Sequence, residues 1–262
     1  MKGVWARIRR VWAICGAIAF VTFTGWALLA YRATAGGHSA LEGTRDVAVT
    51  PGDGYWSFEP ASLAADTGLV FFAGALVDPA AYAPLLVEVA RARFPAVLVD
   101  LPRRGAFGGA DGPGVLARAR VGMRAAGAVR RWVIGGHSKG GAVAARLVRN
   151  GSPDLAGLVL IGTSHPRDFS LAHLSIPVLQ IYGTRDTVAD VEKLEANREN
   201  LPAGTRRVRI DGGNHSQFGY YGFQPGDWPA TITREAQQRL TRDALIATLS
   251  AIKAAADPGA GR

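Results

Sequence analysis

Trp132-Val133-Ile134-Gly135-Gly136-His137-Ser138-Lys139-Gly140-Gly141 is the stretch on which the fold turns. The apolar run Arg131–Ile134 reads as a strand, and the Ala/Val/Leu/Arg stretch over 138–150 reads as a helix. Between them lies a Gly-x-Ser-x-Gly turn, the context in which that motif presents a serine hydroxyl clear of a sheet. Gly136 and Gly140 leave room for the sharp bend, which forces Ser138 into a strained backbone position. The bland alternative is a Gly-rich turn with a serine cap, and the flanking strand and helix weigh against it.

Outward from this turn, short apolar runs alternate with helical stretches. Asp46–Thr50 and Tyr55–Glu59 flank Pro51-Gly52-Asp53-Gly54, which predicts a hairpin. Leu69–Phe72, Ala96–Val99, Leu158–Ile161, Val178–Tyr182 and Arg206–Ile210 read as further strands. Helices are expected over 79–93, with Asp78 as N-cap and Pro79 at the first position, and over 115–126, 187–199 and 234–254. Such alternation predicts an α/β fold with a mostly parallel sheet covered on both faces, whose chemistry lies at the carboxyl ends of the strands. Residues 164–175 are too few to build a cap domain, so an open site is expected, framed by 102–114 and by the aromatic stretch 218–223, which either forms an exposed rim or packs against the closing helix.

A serine hydroxyl needs a base and an orienting carboxylate, in the chain order Ser, Asp/Glu, His. Five histidines are available. His38 lies in the stretch 33–45, read as a linker, and His137 inside the turn. His215, in Asp211-Gly212-Gly213-Asn214-His215, follows the last predicted strand and is the expected base; His165 is read as lining the pocket and His173 as surface. Asp186, on the loop after Val178–Tyr182, is the expected acid. Its alternative role is a helix N-cap, and the competing acid, Asp190, is placed within the predicted helix. The oxyanion donors expected are the backbone N–H groups of Lys139 and Ala75, with Gly74 allowing close backbone approach. The Lys139 side chain opposes the helix dipole, so it either points into solvent or attracts an anionic substrate.

With these residues in place, the chain from about 46 to 254 resembles the α/β-hydrolases, and in particular the small bacterial membrane-anchored or exported members of the "α/β-hydrolase 5" group. The resemblance rests on Phe72–Tyr82, Trp132–Gly141, Ile181–Asp186 and Gly213–Gly219. It implies a serine hydrolase fold and little about what is hydrolysed. Lys139 stands where related sequences often have a hydrophobic residue, and Leu101–Gly105 where they carry an apolar loop. Both departures bear on the substrate.

The remaining feature is charge. Thirty Lys+Arg against 21 Asp+Glu give +9. Five of those charges, Lys2, Arg7, Arg9, Arg10 and Arg32, fall in the first 32 residues, which hold no acid. The run Val11–Tyr31 has no charged residue and is long enough to cross a bilayer. Residues 1–32 are therefore expected to be a membrane anchor, the basic residues keeping the N-terminus in the cytoplasm and the domain outside it. The alternative is a signal peptide cleaved near Ala35. Residues 33–45 read as a linker, 46–256 as the hydrolase domain and 257–262 as a tail. Cys15, the single cysteine, lies in the apolar run, so the domain has neither disulfide nor thiolate metal site, and no cofactor is expected.

The function expected is a carboxylic ester hydrolase working through an acyl-serine intermediate on a small ester-like substrate. A thioesterase, lactonase or acyltransferase on the same residues, and a non-catalytic binding protein of the same fold, are the alternatives. Nucleic-acid binding is disfavoured, because the domain beyond the leader carries only the remaining small excess of charge and lacks interleaved aromatic and basic residues.

Overall fold

Strand residues that are apolar on both sides feed two cores at once. In a computed structural model describing residues 2–62, 64–110, 112–127, 129–151 and 154–256, eight strands form one sheet in the order β1-β2-β4-β3-β5-β6-β7-β8. The hairpin β1 (Val47–Gly52) and β2 (Tyr55–Pro60) is antiparallel and joins β4 (Ala96–Val99) antiparallel. From β4 through β3 (Thr67–Phe72), β5 (Arg131–His137), β6 (Leu155–Ile161), β7 (Val178–Gly183) and β8 (Arg206–Ile210) every pairing is parallel. β3 is buried along its whole length: Leu69 and Phe71 enter the core on one face, Val70 and Phe72 the core on the other. That is the two-sided burial expected of a parallel sheet.

The helices in chain order are α1 (Lys2–Ala30), α2 (Ala35–Ser39), α3 (Ala83–Arg91), α4 (Pro113–Ala125), α5 (Lys139–Arg149), α6 (Val191–Ala196) and α7 (Arg234–Ala256). α3 and α7 contribute Leu86, Leu245 and Leu249 to the first core, while α4 and α5 contribute Val115, Val143 and Val148 to the second. α5 buries Gly140, Gly141, Ala142, Ala144 and Ala145, small residues that let it lie close against the sheet directly beneath the serine turn. Asp78 accepts from the Ala80 N–H, as its N-cap reading predicts, though Pro79–Tyr82 form a 3-10 turn before α3 begins. Between β6 and β7 the chain forms neither helix nor strand, so no cap covers this end of the sheet.

Two expectations need correction, and one left open between two readings is decided. The stretch read as a linker, 33–45, is folded onto the domain. Thr34 caps α2 through the Gly37 N–H, a 3-10 turn follows at Ala40–Glu42, and Ala33, Ala40 and Leu41 pack on the first core. Composition alone conceals that these small apolar residues find the core. The helix expected over 187–199 shrinks to α6 and a 3-10 turn, and Asp190 is its N-cap rather than an interior residue, accepting from the Lys193 N–H at 2.8 Å. The aromatic stretch 218–223 is mostly packed inside: Phe218 and Tyr221 are buried and only Phe223 projects substantially. The tail 257–262 lies outside the described residues.

α1 is exposed along its apolar length and is long and apolar enough to cross a membrane over Gly3–Ala27. Cys15 is exposed on it.

Candidate active site

Ser138 sits at the bend between β5 and α5 with φ 54° and ψ −119°, a backbone conformation costly for any residue with a side chain. The bend is tight because its two glycines touch backbone. A Cβ at Gly140 would run into the carbonyl oxygens of Phe72 and Ala73, and one at Gly136 into the backbone of Gly140. The Ser138 N–H bonds the Ile161 carbonyl at 2.9 Å, which ties the turn to β6.

Asp186 and His215 are brought together from loops following β7 and β8. His215 Nδ1 lies 2.8 Å from Asp186 Oδ2, and both side chains are essentially inaccessible to solvent. Asp186 Oδ1 accepts from the Val188 and Ala189 N–H groups at 3.0 and 2.7 Å. Both readings of Asp186 therefore hold: one oxygen organises a turn and the other faces the imidazole. A carboxylate can only accept, so Nδ1 carries a proton, and in the neutral imidazole Nε2 is the acceptor. Nε2 is buried and makes no hydrogen bond. The His215 ring lies 4.4 Å from that of His137, the residue preceding Ser138 in the bend.

The loop bearing His215 is clamped by residues that sequence reasoning did not single out. Gln237 on α7 accepts from the Asn214 N–H at 3.0 Å and donates to the Asn214 carbonyl at 2.7 Å. Asp227 accepts from the N–H groups of His215 and Ser216 and from the Ser216 hydroxyl, at 3.2, 2.8 and 3.0 Å. Burial pushes the Asp227 carboxyl up, and these donors pull it back.

Tyr82 was missed too. Its hydroxyl accepts from the Gly74 N–H at 3.1 Å, which leaves its own proton for His137 Nδ1 at 2.8 Å. His137 is thereby the Nε2–H tautomer, and burial followed by the neighbouring His215 holds its pKa well below the ordinary value, so it is neutral. Tyr82 joins the loop after β3 to the serine turn, with no room at Gly74 for a Cβ beside the phenol. Its signal in sequence was only a large aromatic in the helix that follows that loop. With the Gly74 N–H engaged, Ala75 is the next N–H along; Lys139 opens α5.

His165 is half-buried near the site. Burial, then Arg167 and Lys139, lower its pKa to about 4. His173 is exposed. Among the described residues no group of His, Cys, Asp and Glu is arranged to hold a metal ion.

The description "Alpha/beta hydrolase family" matches residues 68–239. The chain belongs to the alpha/beta hydrolase family. Among solved structures, this hydrolase is similar to an alpha-beta serine hydrolase homologue from Coxiella burnetii, at 14% identity and a TM-score of 0.53, over 79% of this chain and 98% of that one. It is similar to a metagenome-derived lipolytic enzyme at 15% identity and a TM-score of 0.54, over 76% and 99%. A membrane phospholipase A, described as a bacterial virulence factor, matches at 16% identity and a TM-score of 0.52, over 97% of this chain and 99% of that one. That last overlap is too large to leave out the N-terminal helix. No curated protein matches the chain.

Proposed function

We propose that this hydrolase is a membrane-anchored serine hydrolase that cleaves carboxylic esters, with Ser138 as nucleophile, His215 as base and Asp186 as its orienting acid. The observation that carries the reading is the buried His215–Asp186 pair, 2.8 Å apart, whose outer nitrogen Nε2 lacks a partner beside the serine bend. Four buried side-chain atoms among the described residues lack a partner, Asp100 Oδ1, His137 Nε2, Gln217 Oε1 and His215 Nε2, and only the last belongs to an imidazole held by a carboxylate. A base whose hydrogen bond to the serine forms when substrate arrives accounts for that unpartnered atom.

In this mechanism Nε2 takes the Ser138 proton as Oγ bonds to the acyl carbon. The N–H groups of Ala75 and Lys139 receive the oxyanion, and Nε2 returns the proton to the leaving alcohol. Water then repeats the sequence on the acyl-serine and releases the acid. The strained φ of Ser138 holds Oγ forward throughout.

Retention of the leader is favoured over cleavage near Ala35, because cleavage there would cut α2 and remove contacts made by Ala30, Tyr31 and Thr34 with the domain. Arg7, Arg9 and Arg10 favour a cytoplasmic N-terminus and an extracytoplasmic domain.

The test is the full chain in detergent with a fluorophosphonate probe and short p-nitrophenyl esters. Wild type is expected to label and turn over, and Ser138→Ala to do neither. Folded wild-type protein that fails to label would favour a binding protein built on the same fold.

A further inference from the structure

The end of α1 is joined to the two loops that carry the candidate catalytic groups. The Asp78 N–H donates to the Tyr31 carbonyl at 2.9 Å, on the loop that bears Ala75. The Gly222 N–H donates to the Ala30 carbonyl at 2.8 Å, and the Thr34 N–H to the Tyr220 carbonyl at 2.7 Å, on the segment that follows His215. Tyr31 stacks on the buried Tyr221, with centroids 6.1 Å apart and planes within 17°. The Tyr220 N–H in turn bonds the Ala81 carbonyl at 2.8 Å, linking the two loops to each other. A chain that needed only a tether would not require this joint.

Chain geometry bounds how far the site lies from the bilayer. The apolar span ends at Ala27, and Tyr31 is about one helical turn, ~6 Å, beyond it. Ala75 precedes Asp78 by so few residues that their Cα atoms lie within about 11 Å even if the backbone were fully extended. The headgroup zone of one leaflet is itself roughly 5–8 Å deep. These lengths set an upper bound of roughly 20 Å between the oxyanion loop and the end of the apolar span, close enough for loops around the site to reach the headgroup zone.

The side chains there suit that position. Leu76 is 46% exposed, Phe107 90% and Phe223 47%; they lie after β3, after β4 and in the segment that follows His215. They are held out by backbone contacts: the Leu76 N–H bonds the Arg104 carbonyl at 2.7 Å, and Arg103 donates to the Phe107 carbonyl at 3.0 Å. Leu76 and Phe107 both adopt positive φ, which an L side chain pays for and which projects them outward. Arg103 is exposed and its guanidinium meets the Phe107 carbonyl, and Arg32 is exposed in the residue after Tyr31. Exposed apolar tips together with exposed cations suit a surface that rests in a headgroup layer.

We propose that the substrate is an acyl-ester lipid of the bilayer that holds α1, entering sideways through the mouth bounded by Leu76, Phe107 and Phe223. The inference rests on the serine hydrolase reading above. Ser138 Oγ bonds to the lipid's acyl carbon as the ester C–O bond breaks, the lyso-lipid alcohol leaves with the proton from His215, and water releases the fatty acid.

The test uses the full chain reconstituted in vesicles of phosphatidylethanolamine and phosphatidylglycerol, with fatty-acid release and p-nitrophenyl butyrate turnover followed in parallel. Fatty acid is expected from the host vesicles. The Phe107→Asp, Phe223→Asp double variant is expected to lower the ratio of lipid to butyrate turnover at least tenfold, the exposed positions sparing the fold. Turnover of butyrate without fatty-acid release overturns the lipid proposal and leaves the hydrolase reading intact, and an unchanged ratio in the double variant overturns the entry route. A chain inert toward both substrates and toward the fluorophosphonate probe sinks both readings together.

Discussion

Tyr82→Phe removes one oxygen atom from a wholly buried position and leaves two polar groups without their partner. The hydroxyl accepts from Gly74 and donates to His137 Nδ1, and both contacts are buried. An orphaned buried donor or acceptor costs about 1–3 kcal/mol. Partial relaxation of the Gly74 loop brings the expected loss to about 2–4 kcal/mol, taking both groups together. For a domain of this size each kcal/mol moves the melting temperature by about 2–4 °C, so Tm should fall by roughly 5–15 °C. Activity should fall as well, because Gly74 immediately precedes Ala75. With the loop released, kcat should drop about tenfold or more while KM changes less, as expected when one oxyanion donor is misplaced. Thermal scans and p-nitrophenyl ester kinetics on the full chain give both numbers. Tyr221→Phe is the control: the ring is equally buried, but its hydroxyl bonds the half-buried Gln224 side chain at 3.0 Å, which can turn to water. Its cost should stay below about 1 kcal/mol. If the two variants are equally stable and equally active, the phenol does not hold the loop and the account of Tyr82 is wrong.

Asp186→Asn should preserve the fold while presenting an amide that can stabilise the other His215 tautomer. The expected loss in kcat is about 10³–10⁴-fold, with fluorophosphonate labelling slowed in proportion; near-wild-type turnover would remove Asp186 from the mechanism. Stability should depend on pH through His137 and His165. Burial lowers both, to about 4 for His165, so between that value and the ordinary 6.5 the unfolded chain binds more protons than the folded one. Stability is therefore complete above about pH 6.5 and falls as the pH drops toward 4, and urea unfolding of His165→Gln should show a shallower fall than wild type. Identical slopes would show that His165 is not held neutral.

Much of this molecule is local and so was readable in order along the chain. β8 runs over the residues its apolar pattern predicts, Arg206–Ile210, and the Gly-x-Ser-x-Gly bend lies where a strand runs into a helix. Asp186 and His215 were placed by the rule that chemistry collects at the carboxyl ends of parallel strands. What escaped depends on contacts between distant segments. Tyr82 meets His137 across 55 residues, and Gln237 reaches back 23 residues to hold the loop of Asn214. No periodicity encodes such pairs. Asp227 sits in an irregular loop, where nothing local announces that its carboxylate will gather three donors from the neighbouring turn.

By itself the sequence determined that a charged, then uncharged, leader precedes an α/β sheet with a serine bend, because charge, hydropathy and strand period are properties of consecutive residues. Only the tertiary structure decided that residues 33–45 are packed rather than slack, and that the end of α1 is bonded to the loops of Ala75 and His215. Hydrogen bonds and stacking between segments far apart in the chain exist only once the sheet has brought those segments together.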